Sequence, residues 1–285
     1  MTETVVVIGS GEMGTAVGRR LREAGARVVT SITGRSAASV ERVRRAGIEA
    51  IDDADLMVRE AGFLLSIVPP AAASEVANRF KGPLSRADGK PIFVECNAIS
   101  PAATRNIETI LTGISFIDAG IIGGPPKIDT LDPTKGPRFY ASGPLAHQMM
   151  RLAQYGLDIA VLDGSVGAAS GLKLAYAGMT KGFTALATAM VNAASREGLG
   201  DALRAELSRT QPHFLARLER SIPDMFPKAY RWVAEMEQIA EFISDPREGA
   251  LIYEGAARLF EWIADELGRS DSDRISALAE FCKKK

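Results

Sequence analysis

Two stretches of the 285-residue chain carry residues whose types and spacing suit chemistry. The first is Val5-Val6-Val7-Ile8-Gly9-Ser10-Gly11-Glu12-Met13-Gly14, an apolar run closed by Gly-x-Gly-x-x-Gly. In a strand-to-helix turn Gly9 permits the bend, Gly11 lets backbone approach a pyrophosphate, and Gly14 lets helix pack on strand. Free N–H groups at the helix start then attract the phosphates. Such a triplet alone is a weak signal, but its place between a buried-type strand and a helix points to a dinucleotide site formed by Gly9, Ser10, Gly11, Glu12, Met13 and Gly14. The second stretch holds Lys173, Tyr176 and Thr180 at i, i+3 and i+7, one face of a helix crowded with Ala and Gly. A helix of small residues is expected to be buried, and burial disfavours an ammonium, which brings a lysine towards the range useful for proton transfer. The alternative is a Lys173 that snorkels to solvent.

The run Val28-Val29-Thr30-Ser31-Ile32-Thr33-Gly34-Arg35-Ser36 bears on the choice of dinucleotide. An acidic residue at the end of the second strand would bind a ribose 2′-hydroxyl, whereas a cation there meets a 2′-phosphate. No Asp or Glu lies in the run. Arg35 can pair with the phosphate while Thr33 and Ser36 donate hydroxyl hydrogen bonds, which favours NADP(H) over NAD. The alternative is that Arg35 and Ser36 merely open a helix, with Ser36 as its cap.

The elements that must position these groups follow from periodicity. Short apolar runs at Thr4 to Ile8, Arg27 to Ile32, Phe63 to Val68, Pro91 to Glu95 and Ser115 to Asp118 alternate with helical patterns, the rhythm of a doubly wound, mostly parallel sheet. Beyond Asp163-Gly164 strand signals vanish. The reading is an α/β Rossmann domain binding NADP over residues 1–163, then an all-α domain for substrate binding and dimerisation over 164–285, whose first helix runs from about Gly167 to Arg196. Hydrophobic residues at 46%, charged residues at 24% and a net charge of -1 leave no basic stripe for nucleic acid. No apolar stretch approaches a membrane span, and no leader is evident, so a cytoplasmic protein is expected. Cys96 and Cys282 form no CxxC pair, and neither His147 nor His213 has a partner motif, so no metal site is expected.

The order of these motifs resembles that in β-hydroxyacid dehydrogenases and 6-phosphogluconate dehydrogenases. The resemblance rests on the glycine loop with Met13, the strand end Ser66-Ile67-Val68-Pro69-Pro70, the turn Asn97-Ala98-Ile99-Ser100-Pro101, the segment Asp118-Ala119-Gly120-Ile121-Ile122-Gly123-Gly124 and the helix start from Gly164 to Lys173. The C-terminal portion, including Pro227-Lys228-Ala229-Tyr230-Arg231-Trp232, is similar to a less characterised phosphogluconate dehydrogenase-like branch. The resemblance implies Lys173 as general acid or base, Gly123 and Gly124 as amide donors to a substrate carboxylate, and Val68, Pro69 and Asn97 lining the cofactor. It implies hydride transfer between nicotinamide and a small hydroxy or oxo acid, and a homodimer.

Three positions depart from the family: Ile122 stands where it has a serine, Ala177 where it has an asparagine, and Asn97-Ala98 where it has a serine-threonine turn. Tyr176 or Thr180 can take over from the missing amide, and Asn97 from the turn. Lys127 follows the glycine pair in a proline-stiffened loop and is a further candidate for anchoring substrate. Ile122 and Ala177 favour the competing reading of a silent NADPH-binding sensor or scaffold. A third reading, imine reduction, is disfavoured by Lys173, because an ammonium suits a carbonyl oxygen better than an iminium.

Overall fold

The computed structural model describes residues 2–128, 130, 132–269 and 273–283. It divides into two compact units, Met1–Lys173 and Leu174–Lys285.

The first unit is built on one eight-stranded sheet: β1 (Thr4–Ile8), β2 (Arg27–Thr30), β3 (Glu49–Ala50), β4 (Phe63–Ser66), β5 (Ile92–Glu95), β6 (Phe116–Ile122), β7 (Arg138–Ser142) and β8 (Asp158–Val161). Their spatial order is β3-β2-β1-β4-β5-β6-β7-β8, with every pairing parallel except β6 with β7. Helices α1 (Glu12–Glu23), α2 (Ala37–Arg45), α3 (Ala54–Arg59), α4 (Ala73–Arg86) and α5 (Pro101–Ile110) supply the crossovers. Alternation along β1 shows why its run is continuously apolar. Val5 and Val7 enter the core shared with Val17, Leu21 and Phe139, whereas Val6 and Ile8 enter that of Val76, Phe80 and Ile107, so both faces are covered. Strand order reverses between β1 and β4, which opens the crevice at their carboxyl ends where doubly wound folds take ligands.

The sequence predicts five strands, and eight are present among the described residues. β2, β4 and β5 are shorter than the predicted runs, β6 extends four residues further to Ile122, and β3, β7 and β8 lie outside the predicted runs. His147 sits in a 3-10 stretch over Ala146–Tyr155.

Helix α6 (Ala168–Arg196) begins in the first unit and continues into the second. The second unit adds α7 (Gly200–Thr210), α8 (Pro212–Met225), α9 (Ala229–Ile243), α10 (Arg247–Leu267) and α11 (Asp273–Phe281). Its core gathers Leu174, Val191, Leu218, Ile222, Met236 and Phe260, with Trp232 edge-on to Phe260 at 5.2 Å. The small residues of α6 predict a buried helix. Instead it exposes Tyr176, Met179, Phe183, Leu186 and Met190, a seam spaced three and four residues apart.

Candidate functional site

The glycine turn is fixed by close backbone approach. Gly9 adopts a φ of +146°, and a Cβ there would overlap the carbonyl oxygen of Ile67 just past β4. A Cβ on Gly14 would in turn overlap the carbonyl of Gly9. Gly11 differs: nothing lies within 4 Å of where its Cβ would stand. It caps α1 without a side-chain hydrogen bond, leaving the helix's first amides to face the crevice. Ser10 is buried and Met13 packs on the core, while Gly11 and Glu12 are exposed. A pyrophosphate fits this arrangement.

At the end of β2, Arg35 is exposed, and Ser36 caps α2 by accepting from the Ser39 amide at 3.3 Å. Thr33 is engaged with Asp52, whose carboxyl is held below its ordinary range chiefly by that hydrogen bond. Asp52 also accepts from the Ser31 hydroxyl at 3.3 Å. Two arginines not singled out from sequence converge here. Arg42 donates to the Ser39 hydroxyl at 3.0 Å and the Ser10 carbonyl at 3.5 Å, while Arg79 donates to Ser31 at 3.3 Å. Arg42 thus connects the end of β2 to the glycine turn. Its place at i+6 from Ser36, on a helix facing the turn, was the sequence signal available.

Asn97 ties neighbouring strand ends together. Its Oδ1 accepts from the Val68 amide at 2.6 Å, its Nδ2 donates to the Ser66 hydroxyl at 2.9 Å, and its own amide donates to Glu95 Oε1 at 2.9 Å. Val68 is half-buried and Pro69 exposed beside it. Contacts therefore run without a break from Gly9 through Ile67 and Val68 to Asn97 and Glu95.

Lys173 joins the far end of that chain, its Nζ donating to the Cys96 carbonyl at 3.4 Å. A side chain from β6, Asp118, fixes the helix that carries it. Asp118 Oδ2 accepts from the amides of Gly167, Ala169 and Ser170 at 2.8, 3.0 and 3.1 Å and from the Ser142 hydroxyl at 2.9 Å. Its Oδ1 accepts from the Ser170 hydroxyl at 2.5 Å. A fully buried carboxylate thereby caps the start of α6 and meets its dipole. Gly120 lets the helix lie directly on β6, since a Cβ there would stand 2.6 Å from the Ala169 carbonyl and 3.1 Å from Lys173 Cβ. Beside this network Glu95 is fully buried and its carboxyl is pushed up to about 8, first by burial and then by the charge of Asp118, against the pull of Asn97 and Lys173. Burial likewise pushes the Cys96 thiol well up. Neither acid was among the residues singled out from sequence.

Gly123, with a φ of +124°, and Gly124 are exposed just beyond β6. The loop after them is held from α1, where the fully buried guanidinium of Arg20 donates to the carbonyls of Lys127 at 3.2 Å and Thr130 at 2.6 Å. The Lys127 residue is itself exposed. Tyr176 and Thr180 belong to the second unit. The Thr180 hydroxyl bonds back to the carbonyls of Tyr176 at 2.9 Å and Ala177 at 3.3 Å, and Tyr176 is 54% exposed. Among the described residues no group of three or more His, Cys, Asp or Glu could hold a metal ion, and no helix is long and apolar enough to cross a membrane.

Residues 4–132 match the NAD binding domain of 6-phosphogluconate dehydrogenase, and residues 194–263 match a domain of unknown function, DUF1932. The conserved protein MTH1747, whose structure is described as similar to 3-hydroxyacid dehydrogenases, is 30% identical. That match covers 92% of this chain and 97% of MTH1747 with a TM-score of 0.68. The chain belongs to the β-hydroxyacid and 6-phosphogluconate dehydrogenase superfamily. An uncharacterised 28.5 kDa protein of Methanothermus fervidus is 25% identical over 237 residues, 83% of this chain and 89% of that one. The 3-hydroxyisobutyrate dehydrogenase of Mycobacterium tuberculosis, solved with L-serine, shares the fold at 17% identity and a TM-score of 0.73, covering 98% of this chain and 99% of its own. Within this dehydrogenase superfamily the first unit carries the NAD(P)-binding domain, and homology supports an NAD(P)-dependent dehydrogenase.

Proposed function

We propose that the protein is an NADP(H)-dependent dehydrogenase or reductase of a small hydroxy or oxo acid, with Lys173 as general acid and base. The observation that carries this reading is the hydrogen bond from Lys173 Nζ to the carbonyl of Cys96 at the end of β5, two strands from the glycine turn. The Gly11 turn and the strand ends from Ile67 to Asn97 would hold a dinucleotide, which would supply the hydride that exchanges with the substrate carbon. Lys173, as an ammonium, gives its proton to the carbonyl oxygen in reduction; as an amine it takes the hydroxyl proton in oxidation. The amides of Gly123 and Gly124, with Lys127 nearby, receive the substrate carboxylate. Arg35 and Arg42 meet the 2′-phosphate, and Ser36 and Thr33 border it. The exposed seam of Tyr176, Met179, Phe183, Leu186 and Met190 supports a homodimer. The unpaired Cys96 and Cys282 suit a reducing cytoplasm.

Two measurements test this function. Fluorescence titration should show NADPH binding more tightly than NADH, with Arg35→Ala and Arg42→Ala each weakening NADPH about tenfold and leaving NADH unchanged. An undiminished NADPH preference in both variants would reject the 2′-phosphate assignment. NADPH oxidation should then appear with at least one member of a panel of short oxo acids and aldehydes, and silence across the panel despite tight cofactor binding would favour a sensor.

A further inference from the structure

The proposed function leaves one buried acid unused. Glu95 ends β5, an otherwise apolar strand, and is fully buried. Only one of its oxygens is engaged: Oε1 accepts from the Asn97 amide, whereas Oε2 has no hydrogen-bond partner among the described residues. A structural carboxylate looks different, as Asp118 shows with both oxygens in use on the neighbouring strand and in direct register with Glu95. Leaving a buried carboxylate oxygen unsatisfied is costly, so such a group persists either as the neutral acid or in balance with a nearby cation. The nearby cation is Lys173, whose amine reaches the carbonyl of the very next residue, Cys96, and whose charge acts on Glu95.

We propose that Glu95 is a positioning residue that sets the protonation state of Lys173 through its charge, in the buried cluster at the ends of β5 and β6. The groups facing Glu95 are Asp118 from β6, Lys173 from α6, and Asn97 and Cys96 from its own strand end. Asp118 already accepts from five donors, and Cys96 stays a thiol because burial raises it. Glu95 and Lys173 are therefore the pair left to exchange charge. When Glu95 is protonated, Lys173 gives up its proton more readily; when Glu95 ionises, it holds the ammonium. Their titrations are coupled, and the midpoints belong to the pair.

This inference rests on Lys173 being the proton-transfer group, so its test reads the lysine without turnover. Trace acetylation of the full-length protein with acetic anhydride across a pH series, quantified on the Lys173 peptide by mass spectrometry, gives the midpoint for the reactive amine. Glu95→Gln keeps the acceptor for Asn97 and removes the charge, and should lower that midpoint by about one pH unit. Glu95→Asp keeps the charge but withdraws it, and should lower the midpoint by less, which also serves if Glu95→Gln does not fold. A midpoint unchanged in the folded variants overturns the pairing. Turnover retained by Lys173→Met would instead overturn the catalytic reading alone.

Discussion

The glycine turn and the acid cluster behind Lys173 border the same row of strand ends but are built on opposite principles. At the turn, side chains are excluded: Gly9 and Gly14 have no room for a Cβ, and Gly11 has room that α1 leaves open. At the cluster everything depends on side chains from distant segments, with Asp118, Ser142 and Ser170 drawn from β6, β7 and α6. A backbone-built site tolerates no added atoms but is indifferent to charge. A site built on a buried carboxylate tolerates changes of shape less than it depends on who carries the proton.

The contrast can be broken most severely at Gly14. Gly14→Ala drives a methyl into the Gly9 carbonyl and should cost several kcal/mol of stability together with cofactor binding, read by thermal melting and NADPH titration. Asp118→Asn should follow at about 3 kcal/mol, because a neutral amide cannot accept all five bonds and turns a donor towards the helix amides. Gly11→Ala should weaken NADPH by about tenfold with no loss of melting temperature, since its methyl meets only the space kept for phosphate. The pH dependence at Glu95 is read along a different axis. Its carboxyl is raised from the ordinary 4.5 to about 8 in the folded state, so the folded chain binds the extra proton between those values and loses stability as pH rises through that window. In Glu95→Gln the melting temperature should decline less steeply from pH 5 to pH 8; an equal slope would show that the acid titrates normally.

The same contrast explains what could be read from sequence. The turn is local, six residues between a strand and a helix, and its glycines announce it; β1 and the start of α6 were likewise legible because their apolar or small-residue runs are continuous. β7 and β8 were not. Prolines at 133 and 137 lead into β7, whose ends Arg138 and Ser142 are polar, and β8 is a half-buried edge strand with only the short run Ile159-Ala160-Val161. Glu95 and Asp118 read as the ends of strands, where solvent is the ordinary neighbour of an acid. Their burial follows from α6 lying over β6, a contact allowed by Gly120 and separated by some fifty residues from the helix it admits. The clue in hindsight was each acid's position, closing or interrupting the apolar runs Ile92-Phe93-Val94-Glu95 and Phe116-Ile117-Asp118-Ala119 of central strands. Arg20 was hidden for the same reason, because the carbonyls it serves lie more than a hundred residues away.

The division of labour between turn and lysine is tested most directly by Lys173→Met, with cofactor affinity and turnover measured on the same preparation. The account predicts an NADPH dissociation constant close to that of the unaltered protein and turnover reduced about a thousandfold on whichever oxo acid the panel identifies. Undiminished turnover, or loss of NADPH binding in a folded variant, would contradict it.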